Sequence, residues 1–306
     1  MKPVRFPSGD DFCVADLYLP EGMANGEKRA AIIMGQGFTG LKAMLAEEAV
    51  RLAAAGFVVL AIEYRGFGES GGEPRSHVIP RNQVDDFRNA ICWLEQQPFV
   101  DSDRIGLWGT SFGGGVVIYA AALDKRIKAV VAQMPIVDGW RWMQALRTTE
   151  QWEALCDRLI EARRERCRTG AHHYVPAVAS FKSGEFCAMP ADDEITGFAQ
   201  ASMEAFPGRR GDVTIETIDH ILDWRPIDVI QRVAPRPLMI VAASGYDINH
   251  PLEHVMEAFH KAREPKAISF VPCGQMDLYM EPQIDVGMAH AISWFESHLG
   301  KQGGAQ

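Results

Sequence analysis

Short apolar runs alternate with stretches whose apolar residues recur at steps of three and four. Ala30 to Met34, Phe57 to Ile62, Ile105 to Trp108 and Ala129 to Ala132 are continuous apolar runs, the pattern of strands buried on both faces. Between them, Leu41 to Ala55, Gln83 to Gln97 and Phe112 to Ala122 carry helical spacing, for example Val84, Phe87, Ile91 and Leu94. The first 30 residues predict an edge β region, with Phe12 to Leu19 as its strand and Pro20-Glu21-Gly22 as its turn. Strand and helix in alternation imply a mostly parallel, doubly wound α/β sheet covered on both faces.

The rhythm breaks near Pro135 and resumes at Pro237 to Ala242, followed by a helix at Pro251 to Lys261, a strand at Ala267 to Val271 and a helix at Val286 to Leu299. Residues 137–230 show no buried-strand runs, and Trp140, Trp142, Trp152, Leu155 and Leu159 suggest helices. The expected organisation is a core of residues 1–136 and 231–300, a helical cap insertion at 137–230, and a disordered tail at 301–306. No internal repeat is visible.

Composition narrows the function. Of 306 residues, 47% are hydrophobic and 23% charged, which suits a globular chain. The net charge of −9 argues against a nucleic-acid partner and a membrane surface. The longest apolar run, Leu52 to Ile62, is well short of the roughly 20 residues of a spanning helix. MKPVRFPSGDD has no apolar signal region, and Cys13, Cys92, Cys156, Cys167, Cys187 and Cys273 form no CxxC pair. A cytoplasmic protein with reduced thiols is expected. There is no Walker loop or dinucleotide fingerprint, so no cofactor is expected.

Candidate chemistry begins at Gly109-Thr110-Ser111-Phe112-Gly113. This G-x-S-x-G follows a predicted strand and opens a predicted helix, the context of a nucleophile elbow. The helix start offers free backbone N–H groups beside Ser111. In a hydrolase built this way, the loop Gly35-Gln36-Gly37-Phe38-Thr39-Gly40 supplies a second oxyanion donor. The backbone N–H groups of Phe38 and Phe112 are the candidates.

These pieces, together with EYRGFGESGGEPR, VDSDRIGLWGTSFGGG, VVAQMPIVDGW and APRPLMIVAASGYDINHP, make the chain resemble the α/β-hydrolases of the dienelactone-hydrolase-like and fungal polyketide-transferase-like group. The resemblance covers nearly the whole length. It implies an α/β-hydrolase fold, a small-molecule ester, thioester, lactone or β-diketone substrate, and self-association into a homodimer. It also implies a triad acid at Asp247, four residues before Pro251.

The same resemblance exposes a departure. The family's catalytic histidine follows the last strand as G-H-x-D, and the matching stretch here is Gly274-Gln275-Met276-Asp277. A glutamine amide has no basic nitrogen to take a serine proton. Removing the histidine from a serine-protease triad costs about 10^6 in turnover. Gln275 in the base position therefore leaves three readings: an engineered, inactive hydrolase; a natural enzyme whose chemistry needs no imidazole, such as a lyase or a C–C cleaving enzyme; or a ligand-binding protein on a hydrolase scaffold. His77, His172 and His173 are the substitute bases to consider, and His250 and His254 read as residues flanking a helix start. The His172–His173 pair comes with no third ligand placed by spacing, so no metal is expected. Trp140 and Met276 are the expected substrate contacts. The arginines Arg158, Arg163, Arg164, Arg166 and Arg168 read as a solvated helix.

Overall fold

A computed structural model describes residues 1–300. The expected disorder of 301–306 lies outside the described residues. The chain opens with an antiparallel hairpin, β1 (Lys2–Ser8) and β2 (Asp11–Tyr18). The alternating part follows as β3 (Arg29–Gly35), α1 (Ala46–Ala54), β4 (Val58–Ile62), α2 (Pro80–Leu94), β5 (Val100–Thr110), α3 (Phe112–Leu123) and β6 (Ile127–Gln133). Next come α4 (Gly139–Ala145), α5 (Thr149–Thr169), β7 (Tyr174–Pro176), β8 (Val178–Ser180), β9 (Met189–Ala191), α6 (Asp193–Ala205), β10 (Asp212–Thr214) and α7 (Glu216–Leu222). The chain then runs through β11 (Leu238–Ala243), α8 (Leu252–Lys261), β12 (Lys266–Val271) and α9 (Gln283–Leu299).

Eight strands form one sheet in the order β1-β2-β4-β3-β5-β6-β11-β12. Pairing is antiparallel through β1, β2 and β4, and parallel from β4 to β12. The period of two along each strand divides the core. Ala31, Ile33, Leu60 and Leu107 share a cluster with Phe87 of α2 and Val116 of α3. Ile32, Met34, Val59 and Trp108 share the other with Leu52 of α1 and Phe295 and Leu299 of α9. Both faces are apolar because helices cover both, which is why the strands read as continuous runs rather than alternating ones. Among the described residues, no helix is long and apolar enough to cross a membrane.

The segment between β6 and β11 carries helices α4 to α7 and, beyond the helices expected there, some short strands. It contains two small sheets, β7 with β10 (antiparallel) and β8 with β9 (parallel), each of three-residue strands. Strands this short, interrupted by Pro176 and Pro190, leave no apolar run to detect. The helix expected from Leu41 begins instead as a 3₁₀ turn, Lys42–Leu45, before α1. The second expected helix starts at Pro80, which occupies the first helical turn where a missing N–H costs nothing. All six cysteines are free thiols.

Two buried carboxylates fix the loops below the site. Glu63, at the end of β4, accepts from the backbone N–H groups of Lys42 (3.0 Å) and Glu69 (3.0 Å). Asp86 on α2 is fully buried and accepts from Ser8 Oγ (2.5 Å), Arg65 N (3.1 Å) and Arg65 Nε (2.5 Å). Burial pushes its carboxyl pKa up, and Arg65 opposes that push. Removing one member of such a set leaves the others desolvated and unpaired. Asp86→Ala is therefore expected to lower stability by about 3–5 kcal/mol, read as a fall in the urea midpoint with little change in slope.

Candidate active site

Ser111 sits between the end of β5 and the start of α3 with φ 53° and ψ −120°, a backbone conformation that is uncommon for a residue with a side chain. The turn is sharp because its flanks are glycine. A Cβ on Gly109 would lie 2.4 Å from the Gly113 carbonyl oxygen, and one on Gly113 would lie 2.4 Å from the Gln36 carbonyl oxygen. The second of these contacts also sets the loop after β3 against the elbow. Gly37 comes so close that its added Cβ would fall 3.1 Å from Ser111 Cβ. Phe38, Phe112 and Trp142 pack their rings together at 5.8–6.3 Å between centroids.

The partner of Ser111 is an imidazole. His250 Nε2 lies 2.9 Å from Ser111 Oγ, and His250 Nδ1 lies 2.9 and 2.8 Å from the two oxygens of Asp247. Asp247 Oδ1 also accepts from the backbone N–H groups of Asn249 (3.0 Å) and His250 (2.8 Å). One carboxylate thus both closes the turn 247–250 and orients the ring that the turn carries. Both side chains are about 95% buried, at 4% and 5% exposure. An imidazole held this way can take a proton from the serine hydroxyl at one nitrogen while the carboxylate supports the charge at the other.

This corrects the reading of Gln275. Its amide makes no hydrogen bond to Ser111. Its Oε1 accepts from Asn249 N and Nδ2 (both 3.4 Å), its Nε2 contacts Met276 Sδ (3.5 Å), and its backbone N–H donates to Tyr246 O (3.0 Å). It buttresses the 246–250 turn from behind. The premise that no histidine faces the hydroxyl does not hold, because an imidazole reaches Ser111 from three residues after Asp247 instead of from after the last strand. The available signal was Asp247-Ile248-Asn249-His250-Pro251, a spacing that lets one turn hold acid and base together. Its position before α8 made His250 resemble a capping residue.

The other histidines lie elsewhere. His77 Nδ1 meets Thr214 Oγ1 at 2.5 Å, and His172 Nδ1 meets Glu216 Oε1 at 3.1 Å. None of His77, His172 and His173 lines the cavity at Ser111. Burial, reinforced by neighbouring His220 and His172, pulls His77 down to about 4 and keeps it neutral at pH 7.

A cavity of about 600 Å³ opens over Ser111 and His250. Its apolar wall includes Met44, Met189, Ile195, Phe198, Phe206 and Met276, so the segment between β6 and β11 contributes much of it. Met276 lies where expected. Trp140 does not: it is 44% exposed and packs edge-on against Trp152 at 5.0 Å. Two residues on, the helix turns Trp142 inward. It is 2% exposed, and its Nε1 donates to Asn249 Oδ1 at 3.2 Å. The arginines of α5 pair with local acids, Arg163 with Asp219 and Arg168 with Glu165.

Other polar groups also line the cavity. Gln36 is buried, and neither amide atom has a hydrogen-bond partner. Arg209 donates to Ala199 O, Ser202 Oγ and Thr39 Oγ1. Burial lowers its pKa. Glu48 is 2% exposed, its Oε2 is unpartnered, and burial pushes its carboxyl up to about 7.

The fold and this arrangement define an α/β-hydrolase. Residues 9–282 match the family model described as X-Pro dipeptidyl-peptidase (S15 family), and the chain belongs to that family. It is 28% identical over 253 residues to a polyketide transferase of Penicillium sp, with 80% of each chain covered. It is 31% identical over 238 residues to a thiohydrolase of Arthrinium phaeospermum, with 74% of each covered. Among solved structures it superposes on the α/β-hydrolase GrgF from Penicillium sp. sh18 with a TM-score of 0.82 and 25% identity, covering 97% of this chain and 98% of that one. It superposes on DcsB, solved in complex with its substrate analogue, with a TM-score of 0.83 and 26% identity, covering 97% and 99%.

Glu48 yields a signed prediction. Its folded pKa near 7 exceeds the ordinary value of 4.5, so between those values the unfolded state holds fewer protons than the folded state. This group therefore lowers stability as pH rises through the window from about 4.5 to about 7, and the penalty stays in full above it. Glu48→Gln is expected to match the parent at pH 4 and exceed it at pH 8 by up to about 3 kcal/mol. Urea unfolding at the two pH values checks this.

Proposed function

We propose that this chain is a serine acyl-transfer enzyme that cleaves an ester or thioester, with Ser111 as nucleophile, His250 as base and Asp247 as the acid that orients it. The observation that carries the reading is the imidazole bridging hydroxyl and carboxylate at 2.9 and 2.8 Å. Ser111 Oγ attacks the acyl carbon as its proton passes to His250 Nε2, and the carbonyl π electrons move onto oxygen. The N–H groups of Phe112 and Phe38 receive that oxyanion: the first is free because it begins α3, and the second lies on the loop that Gly37 presses against Ser111. Collapse expels the alkoxide or thiolate, which takes the proton from His250, and leaves an acyl-serine. Water then releases an acid, or a second nucleophile takes the acyl group.

Thioester substrates have the stronger support. Relatives are named as thiohydrolases and polyketide transferases. The cavity wall is largely apolar and suits an acyl chain, while Gln36, Glu48 and Arg209 offer hydrogen bonds to oxygen substituents on it.

The test is turnover of an acyl N-acetylcysteamine thioester and of a p-nitrophenyl ester. Ser111→Ala and His250→Ala are each expected to lower kcat by about 10^4–10^6, with circular dichroism unchanged. Gln275→His is expected to give no gain. Retained turnover in both alanine variants, or a large gain in Gln275→His, would overturn the assignment.

A further inference from the structure

Away from the Ser111 cavity, three side chains from separate elements converge where the β6–β11 segment meets the loop before α2. His77 comes from that loop, His172 follows α5, and Glu216 begins α7; one ligating atom from each lies within 4.8 Å of the others. His220, one helical turn beyond Glu216, packs its ring edge-on against His77 at 5.2 Å, and the His77 and His172 rings are 5.4 Å apart. All four are partly buried.

Several features distinguish this cluster from a chance grouping. Thr214 Oγ1 meets His77 Nδ1 and is itself 3.1 Å from Thr217 Oγ1, so the imidazole is oriented from behind, as metal-binding histidines are. That leaves His77 Nε2 as its unengaged nitrogen. Glu216 Oε1 engages His172 and, at 3.8 Å, Arg166, while Glu216 Oε2 is buried with no partner. The backbone around the cluster is already clamped. Thr214 N donates to Ser76 O (3.2 Å), Val78 N to Thr217 Oγ1 (3.0 Å) and Tyr174 Oη to Arg75 O (2.9 Å).

We propose that His77, His172 and Glu216 form a zinc site that pins the β6–β11 segment to the core. Two imidazoles and a carboxylate are a donor set suited to zinc and poorly suited to magnesium or calcium, which prefer all-oxygen ligands. Three protein ligands leave a fourth position for water. Because the ligands join two parts of the chain, the ion binds the folded state and stabilises it. The site does not touch the Ser111 cavity, so the proposal stands or falls independently of the reaction.

The experiment uses the full chain stripped with EDTA. Zinc titrated against a chromophoric chelator is expected to bind one equivalent and to raise Tm by about 5 °C at a hundredfold excess over Kd. Cobalt in its place is expected to show a tetrahedral spectrum without thiolate charge transfer. His172→Ala and the isosteric Glu216→Gln are each expected to weaken zinc binding by about 100-fold, and Thr214→Val by about tenfold. Ser111-dependent turnover without zinc is expected to persist in all three. Absence of one-to-one binding, a thiolate band in the cobalt spectrum, or parental affinity in His172→Ala and Glu216→Gln would overturn the proposal.

Discussion

His250 carries a hydrogen bond on each ring nitrogen, one to a hydroxyl and one to a carboxylate. Each end depends on a different part of the fold. The hydroxyl is held out by a turn with positive φ that glycines on both sides permit, at the carboxyl end of a central parallel strand. The carboxylate comes from the turn after β11, two strands away in the sheet. The parallel register of β5, β6 and β11 brings these ends together, so the two apolar layers that fix the sheet also fix the distance between Ser111 and His250.

The turn that bears both Asp247 and His250 changes the demands on the last strand. In the arrangement that the resemblance implies, the loop after that strand delivers the base. Here it delivers Gln275, whose amide oxygen receives both N–H groups of Asn249. Asn249 in turn accepts from Trp142. The chain of contacts from Gln275 through Asn249 to Trp142 ties the loop after β12 and α4 to the 247–250 turn without a titratable group. Asp247 and His250 share one short turn, which favours keeping their mutual geometry.

Much of the fold was legible in the sequence because a doubly covered parallel sheet leaves unbroken apolar runs, and because G-x-S-x-G between strand and helix has few other uses. The place of Asp247 after the end of β11 and of the Gly35–Gly40 loop against the elbow followed from the same plan. What escaped was set by tertiary context. His250 beside Pro251 has the local signature of a helix entry, and only the sheet register shows that its ring reaches across to Ser111. Trp140 and Trp142 are equivalent in composition, yet they point to solvent and core because a helix turns by about 100° per residue. Glu48 looks like a surface charge on an amphipathic helix, and Arg209 like one in the loop after α6, until the cavity wall is assembled around them. The three-residue strands are held by their partners rather than by any apolar run of their own.

Labelling with a fluorophosphonate, mapped by mass spectrometry, tests the bridging imidazole most directly because it reports the nucleophilicity of one hydroxyl without requiring the natural substrate. The account predicts modification at Ser111 in the unaltered chain and its near-complete loss in Asp247→Asn at matched folding. An unaltered chain that resists the reagent, or Asp247→Asn labelled at the same rate, would contradict it.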